Sequence, residues 1–369
     1  MTTAHFHWFT PLGQDNKDLV APPDKQRIVS HAYRTDVVRA AERLGFESVL
    51  CMVGRYCNDP WITAASLIAE TSKINFIVAV RPGYTLPTVI AHQAASFQNI
   101  SNNRLWLNIV TGSHEEELRG YGDTLSKEGR YERTLEFIDV LQRSWEGAPF
   151  DYNGEYYRIE GGGESSRLSV PPKLFSGGSS AGGIEVGARY ASVHLTYGET
   201  PPLAREHVQT VSELAAKHGR EVEFGIKIQV IARETAAEAW READRLFDGL
   251  DSDYIARQQK VIRARNSVSQ SRVQALNSGV KDRASLEVYP NVWAGTGLVG
   301  MGGGSTALVG SYEQIAERIH EYLSIGVNHF LVSGHPLLES AYEFAEGVIP
   351  YFKERQARVE QPARQAAHT

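Results

Sequence analysis

Hydrophobic and polar positions along this chain follow two alternating rhythms. Short runs rich in β-branched and aromatic residues recur at Phe6–Thr10, Glu47–Val53, Ile74–Val80, Arg104–Val110, Lys173–Ser176, Val193–Tyr197, Phe224–Val230 and His329–Val332. Each reads as a strand. The run Ile74–Val80 is almost continuously apolar, the pattern of a strand buried on both faces. Between the runs the period changes. Over Tyr33–Leu44 the apolar residues Val37, Val38, Ala41 and Leu44 fall at helical spacing, and Gly45 follows as a C-cap. The same reading predicts helices over Trp61–Glu70, Pro87–Phe97, Tyr131–Trp145, Leu203–His218, Ala236–Phe247 and Tyr312–Leu323. The connections are long enough for right-handed crossovers. Eight such units predict an α/β fold, a (β/α)8 TIM barrel.

Two stretches depart from the alternation. Asp151–Ile159 carries Tyr152, Tyr156 and Tyr157 around Asn153-Gly154, a hairpin signal read as a small decoration on the barrel edge. Residues 251–310, after strand seven, are polar at first and then rich in glycine (Gly295, Gly297, Gly300, Gly302, Gly303, Gly304). Long loops of this fold lie on its catalytic face, so this insertion is expected to cover the site, with Gly300–Gly304 as a hinge. Residues 1–352 are expected to form one domain. The tail, 353–369, is polar, contains Pro362 and is expected to fray.

Composition narrows the class. Hydrophobic residues make up 42% and charged residues 22% of 369, which excludes a disordered or fibrous chain. A net charge of -6 argues against a polyanion-binding protein, so no nucleic-acid partner is expected. Two cysteines, Cys51 and Cys57, cannot build a disulfide framework and suit a reducing compartment. No apolar run approaches the roughly 20 residues that span a bilayer, and Met1–Trp8 has no leader-like pattern. The expectation is a cytoplasmic protein without a membrane partner.

In a TIM barrel the reactive groups stand at the C-terminal ends of the strands. The segment Ser176-Gly177-Gly178-Ser179-Ser180, ahead of a helix start, combines close backbone approach with hydroxyl donors. Alone it reads either as a phosphate cradle or as a tight turn. The twelve histidines are dispersed and no ligand spacing suggests a metal site. Cys57 taken alone is an inert small residue. No phosphate-binding lysine loop, nucleophile elbow or dinucleotide fingerprint is present.

Several motifs together resemble a family. Arg104–Ser113 (RLWLNIVTGS), Glu117, Arg130-Tyr131 before a helix, Leu174–Ser180 (LFSGGSS) and Asn291-Val-Trp-Ala-Gly-Thr-Gly-Leu-Val look like the bacterial luciferase-like flavin monooxygenases, in family order from about Phe6 to Pro350. Within that superfamily the sequence is most similar to the reduced-FMN-dependent alkanesulfonate monooxygenases. The resemblance implies reduced FMN and O2 as cofactors, and a separate NAD(P)H-dependent flavin reductase as partner. It places Val53 and Gly54 against the isoalloxazine and Asn108, Thr111 and Glu117 in the polar set after strand four. Arg130 and Tyr131 would reach the flavin tail, and Gly178, Ser179 and Ser180 would hold the phosphate. Residue by residue, Arg130-Tyr131 otherwise reads as a solvated helix start and Asn108 as a satisfied strand end.

The substrate positions depart from the alkanesulfonate pattern. Gly13 stands where those enzymes carry histidine, Lys227 and Gln229 where they carry Arg and His, and His335 replaces a tyrosine; Gly300–Gly304 lacks their arginine, whereas Cys57 is retained. A sulfonate needs several cationic donors, each contributing roughly 1.5–3 kcal/mol. The expectation is therefore a small substrate that is neutral or less anionic, oxygenated with cleavage of a C–S or C–N bond. Lys227, His335 and Cys57 are the candidate catalytic residues, with Gln229, Tyr197 and Gly13 at the substrate. His335 also reads as simple packing beside Pro336. The alternatives are a deazaflavin (F420)-dependent hydride-transferring enzyme and a non-catalytic flavin-binding protein. Family usage implies a homodimer or homotetramer.

Overall fold

The computed structural model describes residues 3–13, 15–19, 25–163, 167–248, 250–263, 267–276, 282–300 and 306–366. Eight parallel strands close on themselves: β1 (His5–Phe9), β2 (Ser48–Cys51), β3 (Asn75–Val80), β4 (Leu105–Ile109), β5 (Leu174–Gly177), β6 (Val193–Tyr197), β7 (Glu223–Arg233) and β8 (Val327–Ser333). The ring closes where His5, Phe6 and His7 pair with His329, Phe330 and Leu331. This is a (β/α)8 TIM barrel.

Local signals fix the helices around it. In α1 (His31–Leu44) the Ser30 side chain accepts from the Tyr33 amide, and Gly45 ends the helix at φ 86°. Pro60 begins α2 (Pro60–Leu67), and Pro87 begins α3 (Pro87–Ser101). Ser126 caps α4 (Lys127–Glu146), the helix that returns from β4. Then come α5 (Ala181–Tyr190), α6 (Pro201–Lys217) and α7 (Ala236–Asp248).

Strand alternation separates two cores. On β3, Phe76, Val78 and Val80 pack outward in the main cluster, while Ile77 joins Phe9, Leu50, Trp106, Phe175, Val193 and Leu331 in a separate inner layer. Trp106 and Phe175 stack at 5.6 Å. The inner layer fills the barrel and leaves its C-terminal mouth as the place for a site.

The insertion follows β7 and α7, as the pattern predicts. It comprises α8 (Ser252–Arg263), α9 (Val268–Gln274), a short antiparallel pair at Glu287–Tyr289 and Val292–Trp293, and a further strand, Ala307–Ser311. That last strand pairs in parallel with Gln229–Arg233, so β7 runs three residues past the predicted end. The edge hairpin pairs Phe150–Asn153 with Arg158–Gly162. The tail differs from expectation: α11 (Ile349–Ala366), which follows α10 (Tyr312–Ser324), carries helix through position 353 rather than fraying there. Of the predicted hinge glycines, Gly300 has φ 70°, and 302–304 lie outside the described residues.

Candidate active site

The loops leaving the C-terminal ends of β2 to β7 enclose a cavity of ≈ 340 Å³. Its floor is the upper edge of the inner layer, with Leu50, Ala79, Leu195 and Leu331. Its rim is polar, drawn from 108–113, from 177–180, from Lys127 and Tyr131 of α4, and from 267–270 in the insertion. An apolar floor beneath convergent polar groups is the usual build of a small-molecule site.

The rim loop after β5 needs its glycines. Gly178 has φ +139°, a conformation that side chains disfavour. A Cβ at Gly182 would lie 2.5 Å from the Tyr131 ring, so helix α5 and Tyr131 pack only because that position is bare. Ser180 caps α5 by accepting from the Gly183 amide at 3.3 Å, and its hydroxyl donates to Tyr131 Oη at 2.8 Å. Beneath the loop, the buried His194 lies 3.1 Å from Ser176 Oγ and 3.1 Å from His207 Nε2. Burial drives His194 down to about 3 and His207 to about 4, so both imidazoles are neutral.

Lys227 rises from β7 at the floor. Its Nζ lies 3.5 Å from Met52 Sδ, 5.2 Å above the Phe9 ring and 5.4 Å above the Tyr197 ring. Two aromatic faces thus flank an ammonium at the apolar floor of the cavity.

The structure brings Val53, Asn108, Thr111, Tyr131, Gly178, Ser179, Ser180, Tyr197 and Lys227 to this one cavity. It places the other predicted residues elsewhere. Gly54 and Cys57 form the turn after β2, where the Cys57 amide donates to the Gly54 carbonyl at 3.0 Å. Burial raises the Cys57 thiol, with Glu117 adding to the effect, so it stays protonated at neutral pH. Glu117 is committed to Arg81 at 2.6 Å in a nearly buried pair. Arg130 is buried behind the rim, where Nη1 donates to the Leu125 carbonyl at 2.6 Å and Nε and Nη2 have no hydrogen-bond partner. Gln229 is buried two residues beyond Lys227 on β7, its Nε2 also without a partner. Gly13 lies near the Tyr56 carbonyl. His335 lies in the loop after β8 beside Asp15, and burial lowers its pKa.

Sequence reasoning missed Lys127, Met52, Thr196 and the insertion residues Ser267–Gln270. Lys127 carried one legible signal, its place one helical turn before Tyr131. The insertion as a whole is expected over the site, but no local pattern says which of its residues reach the cavity. Among the described residues, no three His, Cys, Asp or Glu stand close enough to hold a metal ion, and no helix is long and apolar enough to cross a membrane.

A barrel with a cavity of ≈ 340 Å³ at its mouth and a glycine–serine rim defines a class, and comparison identifies it. The sequence profile of the luciferase-like monooxygenases matches residues 4–329. The chain belongs to the luciferase-like monooxygenase family. Similar solved structures include riboflavin lyase RcaE with modified FMN and riboflavin, 22% identical with a TM-score of 0.78, the match covering 96% of this chain and 92% of that one. The EDTA monooxygenase EmoA from Chelativorans sp. BNC1 is 19% identical, TM-score 0.74, covering 96% and 94%. An F420-dependent secondary alcohol dehydrogenase is 15% identical, TM-score 0.68, covering 95% and 99%.

Proposed function

We propose that this chain is the oxygenating component of a two-component flavin monooxygenase. It would take reduced FMN from a separate NAD(P)H-dependent reductase and use O2 to oxygenate a small organic molecule, with cleavage of a C–S or C–N bond. The observation that carries this reading is a single cavity joining the Gly178–Ser180 rim to an apolar floor that ends in Lys227. The residues present suit a flavin: Gly178 at φ +139° keeps the rim bare, and hydroxyls of Thr111, Ser179 and Ser180 stand with Asn108 above the apolar floor.

When bound, reduced FMN supplies the electrons that activate O2. The chain's part is placement and exclusion of water. Ser179 and Ser180 would hold the phosphate end, and Asn108 and Thr111 would orient the ring system. Leu50, Ala79, Leu195 and Leu331 keep the floor dry. Lys227 would set its ammonium against a carbonyl, carboxylate or other polarised oxygen of the substrate, stabilising negative charge there. One lysine in place of the alkanesulfonate pattern's several cations favours a less anionic substrate than an alkanesulfonate. The protonated Cys57 thiol and His335 lie outside the cavity, so the reading gives neither a proton-transfer role.

The test couples the chain to a generic flavin reductase and compares sulfones, nitrogen heterocycles, aminocarboxylates and alkanesulfonates by product mass. O2-dependent, +16 Da or cleaved product from one of the first three classes is expected. Sulfite from ordinary alkanesulfonates would overturn the substrate class. Turnover with F420 in the absence of O2, or flavin binding with no turnover of any class, would overturn the monooxygenase reading. Exposed Ile62 and Leu86 on and beside α2 and α3 suit the proposed self-association, which sedimentation would show as a dimer or tetramer.

A further inference from the structure

We infer that Lys127 and the Ser179 amide form the phosphate-reading end of this site, and that Ser269 of the insertion holds the phosphate's place when no flavin is bound. The inference rests on the flavin reading above and adds to it a charge, a competitor and a specificity.

The first observation is a hydrogen bond. The Ser179 amide donates to Ser269 Oγ at 3.0 Å, and the two hydroxyls lie 3.1 Å apart. Ser179 N–H belongs to the glycine loop that opens α5, the kind of backbone donor that meets an anion's oxygen. Ser269 Oγ therefore occupies the place of an acceptor oxygen. One N–H makes one good bond, so a phosphate taking Ser179 must displace the Ser269 hydroxyl.

The second is a cation set against its local environment. Lys127 lines the cavity and makes no ion pair or hydrogen bond among the described residues. Nearby arginines are committed: Arg81 to Glu117, Arg133 to Asp123 and Arg272 to Glu199. Lys127 is also the first residue of α4, where the helix dipole disfavours a cation by about 0.3–1 kcal/mol. A residue that breaks a local rule without compensation marks a functional position. It lies one turn before Tyr131, whose hydroxyl receives Ser180 Oγ, so ammonium and serine rim share one side of α4. Arg130, the other cation of this segment, spends Nη1 on the Leu125 carbonyl and does not line the cavity.

The consequence is selection of a phosphorylated flavin against a resident competitor. Fluorescence titration of the full chain with FMN and with riboflavin tests it, using wild type, Lys127→Gln, Lys127→Arg and Ser269→Ala, with inorganic phosphate as a competing probe. Wild type should prefer FMN about 10-fold or more. Lys127→Gln should weaken FMN by about 10-fold or more and leave riboflavin within about twofold, and Lys127→Arg should restore the preference. Ser269→Ala should tighten FMN about 3- to 10-fold without changing riboflavin, because the internal acceptor is gone. Inorganic phosphate should weaken FMN but not riboflavin. Weaker FMN binding in Ser269→Ala would make Ser269 a ligand and overturn the competitor; equal shifts for both flavins, or no effect of Lys127→Gln, would overturn the phosphate site. Equal affinity of wild type for the two flavins would also sink this inference while sparing the flavin reading. Failure of wild type to bind either flavin would sink both.

Discussion

Arg272 Nε donates to Glu199 Oε1 at 2.5 Å, joining insertion helix α9 to the rim loop after β6 across 73 positions of sequence. Glu199 is fully buried, its second oxygen is unpartnered, and its backbone carbonyl accepts from Tyr322 Oη at 2.6 Å. The rim, the insertion and the returning helix α10 thus share one carboxylate.

Removing the cation strands that carboxylate. Arg272→Met is expected to cost about 2–4 kcal/mol at pH 8, below the full value for a buried pair because Arg272 is a third exposed. Burial already raises the Glu199 pKa, and Arg272 opposes the rise. Without Arg272 the folded-state pKa climbs further, so protonation favours the folded chain and the loss should shrink as pH falls. Urea unfolding of variant and wild type at pH 8 and pH 5.5 measures this. An equal loss at both would mean that the pair's charge is irrelevant.

Acid should unfold this protein through its histidines. His7 and His329 meet at 2.9 Å in the barrel, and His194 and His207 at 3.1 Å behind the rim. Burial depresses all four, to about 4 for His329 and His207 and about 3 for His194. Their unfolded pKa is about 6.5, so the unfolded chain takes protons first. Stability is present above pH about 6.5 and is lost as pH falls toward 4, at up to about 1.4 kcal/mol per pH unit per imidazole. His207→Gln keeps a hydrogen-bonding group but does not titrate, and should flatten the pH 5–6 slope by roughly one proton. An unchanged slope would place the titration elsewhere.

Floor and rim should separate in kinetics. Lys227→Met is expected to leave FMN affinity within about twofold but to lower product formation about 10- to 100-fold, the worth of one charged hydrogen bond. Asn108→Leu should do the opposite first, weakening FMN about 10-fold. Flavin titration beside the reductase-coupled assay distinguishes them. Loss of FMN binding in Lys227→Met would move the flavin ring onto the lysine.

The inner layer supports the rim from below. Phe175 is fully buried against Trp106, one residue before Ser176 and the glycine loop. Phe175→Ala should cost about 3–5 kcal/mol by cavity formation and weaken FMN by tilting the rim. Denaturant midpoints and flavin titration report both. Unaltered FMN affinity would show that the loop is held without the layer.

The hairpin shows how tertiary contacts complete a local signal. Asn153-Gly154 marks the hairpin, and the structure sets its loop at four residues, with Asn153 paired to Arg158. The Glu136 carboxylate on α4 accepts from the amides of Glu155, Tyr156 and Tyr157 at 2.8–3.2 Å, and three charge-assisted bonds hold that loop. Likewise β7 outruns its predicted end because Gln229–Arg233 find a partner strand some 78 residues away.

Period and punctuation alone determined the eight strands, the helices between them and the glycine–serine loop after β5, because burial patterns and caps act within a few residues. Tertiary structure decided which side chains share the cavity. Arg130 and Lys127 are three residues apart, yet the turn of α4 puts one behind the rim and the other on it. Ser179 and Ser269 touch across 90 positions, and only the path of the insertion brings them together. A cavity is a property of the space between elements, and a one-dimensional pattern does not contain it.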